Sequence, residues 1–178
     1  EEPWHSRIAL KTFEEPKQIK LTPYTRFLRS LGCEMVVRSN FYNRVKEFWY
    51  QGWAHDEFLW SMAMLSGTCY EWDYVSLYRR IHESQFSGHM GHSKEKRIEY
   101  LQGAKQSSEF LLNLSEKYDL PRSTKKLFEK NVKVHQLRLD LILERKLFLA
   151  IPLLKYLRYY YSARSYPVEL QMAWKGKV

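Results

Sequence analysis

The chain has 178 residues, 44% of them hydrophobic and 16% aromatic, a length that fits one domain or one domain with extended ends. Its 13 Tyr, 9 Phe and 6 Trp exclude disorder throughout, because disordered chains are poor in aromatics. Twenty-nine Lys and Arg against 20 Asp and Glu give +9, a field that attracts nucleic acid, anionic lipid or an acidic protein without choosing among them.

Residues 1–23 carry Pro3, Pro16 and Pro23 among isolated apolar residues such as Trp4, Ile8, Leu10 and Phe13, with no helical period. They read as an arm laid along a neighbour or as a flexible tail. The start at Glu1-Glu2-Pro3 is expected where a leader has been removed or where a first ordered residue begins the sequence, and the former fits organelle import. A short helix is expected from Pro23 to Gly32, with Thr22 as N-cap and Gly32 as its stop. Phe41, Val45, Phe48 and Trp49 recur at helical spacing and predict an amphipathic helix over 41–51, capped by Ser39 or Asn40 and ended by Gly52. Asp56 caps the next helix, with Phe58, Leu59, Met62, Ala63 and Leu65 apolar, until Gly67 and Thr68 interrupt it. Glu71 to Glu83 should form a third, with Trp72, Val75 and Tyr78 along one stripe. The pair over 56–84 resembles one unit of a helical-hairpin repeat, but no second copy recurs at a fixed period, so a solenoid is not supported.

Gln85 to Ser93 is a polar loop with Gly88 and Gly91. Helical patterning resumes from Lys94 to about Tyr118 through Ile98, Leu101, Ala104 and Ser108, weakened at Gly103 by about 1 kcal/mol relative to Ala. Asp119-Leu120-Pro121 is a turn. Ser123 or Thr124 opens a short helix through Lys130, and Asn131, which tolerates left-handed backbone, is its expected stop. A further helix is predicted from Val134 to Ala150 on the stripe Val134, Leu137, Leu141 and Phe148. Pro152 must kink or end it, Leu153 to Arg164 makes a second segment, and residues 167–178 read as a tail. No run shows the alternation and turn chemistry of a sheet. The predicted fold is all-α: a helical bundle over 39–166, an extended N-terminal arm with a short helix over 1–38, and a C-terminal tail over 167–178.

No Gly-rich phosphate loop, His-Glu-x-x-His or Gly-x-Ser-x-Gly occurs, and the carboxylates are scattered or sit beside basic residues, so the expectation is a protein that is not an enzyme. Cys33 and Cys69 have no Cys-x-x-Cys partner spacing and read as reduced, buried thiols. His82, His89 and His92 are the one ligand-like cluster, but nothing in the sequence forces the tetrahedral convergence zinc needs, and they read as surface histidines. The longest apolar run, Leu147 to Leu154, is far short of the roughly 20 residues that cross a bilayer, leaving a position peripheral to a membrane open. Lys155 to Arg164 interleaves cations with Tyr156, Tyr159, Tyr160 and Tyr161. That pattern suits RNA contact in a large ribonucleoprotein, and equally a helix with one buried aromatic face and one basic face.

One resemblance adds to this reading. Tyr118-Asp119-Leu120-Pro121, the run Leu127-Phe128-Glu129-Lys130-Asn131-Val132-Lys133-Val134 and Leu139-Asp140-Leu141-Ile142-Leu143 together resemble the second half of the LYR-motif family, in particular its small accessory subunit of respiratory complex I. The resemblance implies a three-helix bundle that binds no cofactor directly and receives the acyl-phosphopantetheine arm of a mitochondrial acyl carrier protein. Leu77-Tyr78-Arg79 would be the family's Leu-Tyr-Arg, and Phe128 the gate of an acyl tunnel lined by the leucines of the third helix. Arg79, Arg80, Lys126, Lys130, Arg138 and Arg145 would contact the acidic carrier. The expected function is thus a non-catalytic accessory subunit of a mitochondrial respiratory complex, on the matrix side of the inner membrane and without a transmembrane segment. A mitochondrial ribosomal protein and a helical-hairpin scaffold subunit of mitochondrial ATP synthase stay open as alternatives.

Overall fold

The computed structural model describes residues 15–28, 32–72 and 93–175. The expected arm over 1–14, the Leu77-Tyr78-Arg79-Arg80 segment with its helix to Glu83, and His82, His89 and His92 lie outside the described residues. The chain divides into two compact units, residues 1–21 with 25–89, and residues 22–24 with 90–178. Most of the described residues are helical, so the fold is all-α in character. Among the described residues there are six α-helices and one two-stranded ladder.

In the first unit, β1 (Lys17–Gln18) pairs antiparallel with β2 (Tyr70–Glu71), Lys17 opposite Glu71. The Ile19 N–H donates to the Cys69 carbonyl (2.9 Å), and Gln18 Nε2 donates to the Gly67 carbonyl (2.6 Å). The residues before β2 turn back through Gly67, whose φ of +66° an L side chain rarely adopts. The first helix, α1 (Ser39–Val45), tightens into a 3-10 turn at Lys46–Phe48 and ends before Trp49, earlier than the periodicity suggests. There the Trp49 indole N–H donates to the Trp53 carbonyl (2.7 Å), and its ring stacks on His55 at 4.6 Å, which closes the turn.

The second helix, α2 (His55–Leu65), buries Trp60 and Met64 with Cys69 against Ile19, Leu21, Leu28, Met35 and Ala63. Burial pushes the Cys69 thiol up to about 11. Over its described residues, 23–28, the expected helix from Pro23 to Gly32 is not formed: residues 23–26 are turns, and the Thr25 carbonyl accepts the Trp60 indole N–H (2.8 Å). Gly32 instead opens a 3-10 turn, Gly32–Glu34, against α2, where a Cβ would come within 2.9 Å of Asp56 Oδ2.

The second unit is built on a helical hairpin. Ser93 caps α3 (Lys94–Lys117) by accepting the Lys96 N–H. Gly103 does not break this helix, since nothing packs within 4 Å of its Cβ position and the hydrogen-bonded turns on either side carry it. Asp119, at φ 46°, ends the helix in a Schellman motif: the Leu120 N–H reaches the Ser115 carbonyl (2.8 Å) and the Asp119 N–H the Glu116 carbonyl (3.0 Å). Pro121 then starts α4 (Arg122–Leu143).

Helix α4 is continuous through Asn131, which corrects the expected break there. Phe128, Asn131, His135 and Arg138 are all buried at helical spacing, so packing holds Asn131 in the helix and its tolerance of left-handed backbone goes unused. The α4 helix also ends earlier than expected, because Arg145 adopts a left-handed φ of 56°. A 3-10 turn, Leu147–Leu149, leads into α5 (Ala150–Leu154). Pro152 is tolerated within the first turn of α5, where its missing N–H has no helical partner to lose. Residues 167–175, expected in a tail, belong to α6 (Ser165–Lys175), with Pro167 again in a first turn and Glu169, Met172 and Ala173 buried. The α4 helix is central. Leu139 and Ile142 pack with Leu101, while Val134 and Leu141 pack with Leu149, Leu153, Tyr159, Tyr160 and Ala173.

Candidate docking surfaces

The cations of α4 divide by helical face. Arg138 points inward and is 1% exposed. Its Nε and Nη2 donate to the two carboxylate oxygens of Glu169 on α6, at 3.0 and 2.5 Å. Its guanidinium also lies 4.0 Å from the centre of the Tyr160 ring. Arg97 of α3 approaches the same carboxylate at 3.8 Å, so Glu169 draws α3, α4 and α6 together. Burial opposes the charge on Arg138, but the hydrogen bonds and the negative charge of Glu169 outweigh it and hold the pKa above the ordinary arginine value. Burial likewise pushes the Tyr160 phenol well above its usual range, with Glu169 adding to the effect and Arg138 opposing it. Arg138, expected to meet an acidic partner, is therefore committed inside the fold. A planar fork that satisfies a carboxylate bidentately is what makes so buried a cation tolerable.

Phe128, expected as the gate of a tunnel, is 2% exposed on the same inward face. Asn131 lies one turn along, its amide Nδ2 and Oδ1 buried without a hydrogen-bond partner among the described residues. The opposing helix carries small residues along its buried face, Ala104, Ser107, Ser108 and Ser115. The serine hydroxyls turn back onto their own helix: Ser108 donates to the Ala104 carbonyl at 2.7 Å and Ser115 to the Leu112 carbonyl at 2.7 Å. They so meet their hydrogen-bonding need while leaving room for the larger side chains of α4.

The outer face of α4 is different. Lys126 and Lys130 are exposed, and Arg122 and Lys133 extend their row. The positions follow i, i+4, i+8 and i+11, so the four project on one side of the helix. None of the four forms an ion pair with a carboxylate among the described residues, in contrast to Lys125, which bonds Asp119 at 2.7 Å and holds that carboxyl below its ordinary value. Exposed Glu129 shares this side of the helix, so the ridge carries four cations and one carboxylate.

Arg145, expected to contact an acidic partner, is exposed and also caps α6. Its Nε donates to the Ala173 carbonyl (3.1 Å) and its Nη2 to the Trp174 carbonyl (2.8 Å), satisfying backbone groups at the C-terminal end of α6. Beyond it, the chain alternates inward and outward. Leu149 and Leu153 are buried, whereas Phe148 is 70% and Ile151 72% exposed, and Leu154 is exposed beside them. Trp174, on the end of α6 that Arg145 caps, is 71% exposed. The apolar run Leu147 to Leu154 is legible in the sequence, but Phe148, expected on one stripe with Val134, Leu137 and Leu141, faces outward. The signal available was the sequence spacing of Phe148, Ile151 and Leu154 against Leu149 and Leu153 once a helix start near Ala150 is recognised. Glu169 was missed because Pro167 suggested a tail, although Glu169, Met172 and Ala173 already follow a helical period.

Of the aromatic run considered for stacking, Tyr159 and Tyr160 are buried and Tyr161 is exposed. No described helix is long and apolar enough to cross a membrane. No protein-family model, curated protein or solved structure matches this chain.

Proposed function

We propose that this chain is a non-catalytic docking subunit of a mitochondrial respiratory complex and that it receives an acidic acyl carrier protein on the outer face of α4. The carrying observation is the ridge Arg122, Lys126, Lys130 and Lys133, exposed along one side of a helix whose other side is locked into the core. Four cations in register offer an acidic helix a row of charge-assisted contacts and steer its approach. The choice of carrier protein and of respiratory complex rests on the resemblance of residues 118–143 to the LYR-motif family. In this reading Lys126 and Lys130 make the contacts. Arg138 acts at one remove, by holding α4 against α6. The RNA reading is weaker, because Tyr159 and Tyr160 spend their rings in the core and are withdrawn from stacking on bases.

The test is calorimetric titration of the purified chain with an acyl carrier protein bearing an acyl-4′-phosphopantetheine group. Saturable binding that weakens with added salt is expected, and the double substitution Lys126→Glu with Lys130→Glu should weaken it on the order of tenfold or more. Absence of binding at low ionic strength, or binding indifferent to the double substitution, overturns the reading.

A further inference from the structure

We propose that the shelf formed by α5 and the end of α6 is an attachment surface for an anionic lipid bilayer, a function separate from the ridge and independent of the carrier-protein reading. The first observation is the apolar exposure. Phe148, Ile151, Leu154 and Trp174 stand out from a region whose alternate positions, Leu149 and Leu153, already fill the core. These four keep about half or more of their surface exposed in the folded unit. The second observation is the sign of the charge around them. From Arg145 to Lys175 the sequence contains one carboxylate side chain, Glu169, and it is fully buried against Arg138. The exposed charges of this stretch, among them Lys155, Arg158, Arg164 and Lys175, are all positive. Nearby Glu144 is exposed but bonds Lys146 at 2.6 Å, so its charge is met locally.

A short exposed apolar protrusion followed along the chain by exposed Lys155 and Arg158, with exposed Tyr161 and Trp174 in the same unit, matches the boundary between acyl chains and anionic headgroups. The apolar side chains enter the outer layer of the hydrocarbon while the cations remain among the lipid phosphates. The depth is shallow, since no described helix is long enough to span. A rigid mount is provided by Arg145, which ties the Ala173 and Trp174 carbonyls to the segment entering the shelf.

The experiment is sedimentation of the full chain with vesicles of phosphatidylcholine alone and of phosphatidylcholine mixed with phosphatidylglycerol, read together with tryptophan quenching by brominated lipids. The anionic vesicles should bind roughly tenfold or more tightly than the neutral ones, with quenching that Trp174→Phe removes in large part. Phe148→Ser with Ile151→Ser should lower the partitioning by roughly tenfold or more while the denaturation midpoint stays in place, because both side chains are exposed. Three results overturn the proposal: equal binding to both vesicle types, full binding by the double serine variant, or binding without any lipid quenching. The last would place the contact with the vesicle on another surface of the chain. Failure here leaves the carrier-protein titration untouched, since Lys126 and Lys130 lie on another element.

Discussion

Two cationic surfaces belong to the same unit and differ in what surrounds the charge. On the outer face of α4, Arg122, Lys126, Lys130 and Lys133 stand in a row among polar neighbours. On the shelf, Phe148, Ile151, Leu154 and Trp174 are exposed in a stretch whose exposed charges are all positive. A net charge of +9 describes both and separates neither. The separation comes from apolar exposure: a charged row steers and registers a charged polypeptide, whereas apolar side chains in a basic stretch gain by leaving water altogether. Arg138 and Arg145 form a third class, cations bonded to groups of the fold, and they hold both surfaces in place.

The strongest way to break the comparison is to remove what the two surfaces share. Glu169→Ala leaves Arg138 buried and unpaired, and should cost about 3–5 kcal/mol in urea denaturation. Replacing both partners together, Arg138→Met with Glu169→Leu, should recover most of that loss, because the charge then has no burial penalty to bear. A smaller effect dissects the surfaces. Lys126→Glu with Lys130→Glu should weaken carrier-protein binding on the order of tenfold and change lipid quenching of Trp174 little, while Phe148→Ser with Ile151→Ser should do the reverse. Crossed results in both assays would merge the two surfaces into one. Arg145→Ala should cost about 1 kcal/mol in the same denaturation assay and loosen the α6 end, read as reduced quenching of Trp174 on vesicles.

The least effect is expected at Tyr160. Its phenol pKa is raised by burial, so the folded state holds the proton that the unfolded chain releases above about pH 10. The stability of the unit should therefore fall as pH rises past 10, and Tyr160→Phe should remove that part of the fall. At neutral pH the substitution should change stability by less than about 1 kcal/mol, since the hydroxyl has no hydrogen-bond partner among the described residues.

Helical periodicity identified the α2 and α3 helices, and turn chemistry the break at Asp119-Leu120-Pro121, because both are local properties of the chain. Local signals failed where a distant side chain decided the backbone. Asn131 carries a stop signal, yet it stays helical because Phe128, His135 and Arg138 on the same face must all be buried together. Arg145 reads as a helix residue, but its guanidinium sits on the α6 carbonyls and its own backbone is left-handed. Pro167 reads as a breaker, although a first turn has no hydrogen bond for it to remove. Composition and periodicity thus determined a mostly helical, basic chain with its main elements roughly placed. Which cations face outward and which are spent on Glu169 or on a helix end was decided only by tertiary structure, because that choice depends on partners some thirty residues away in sequence.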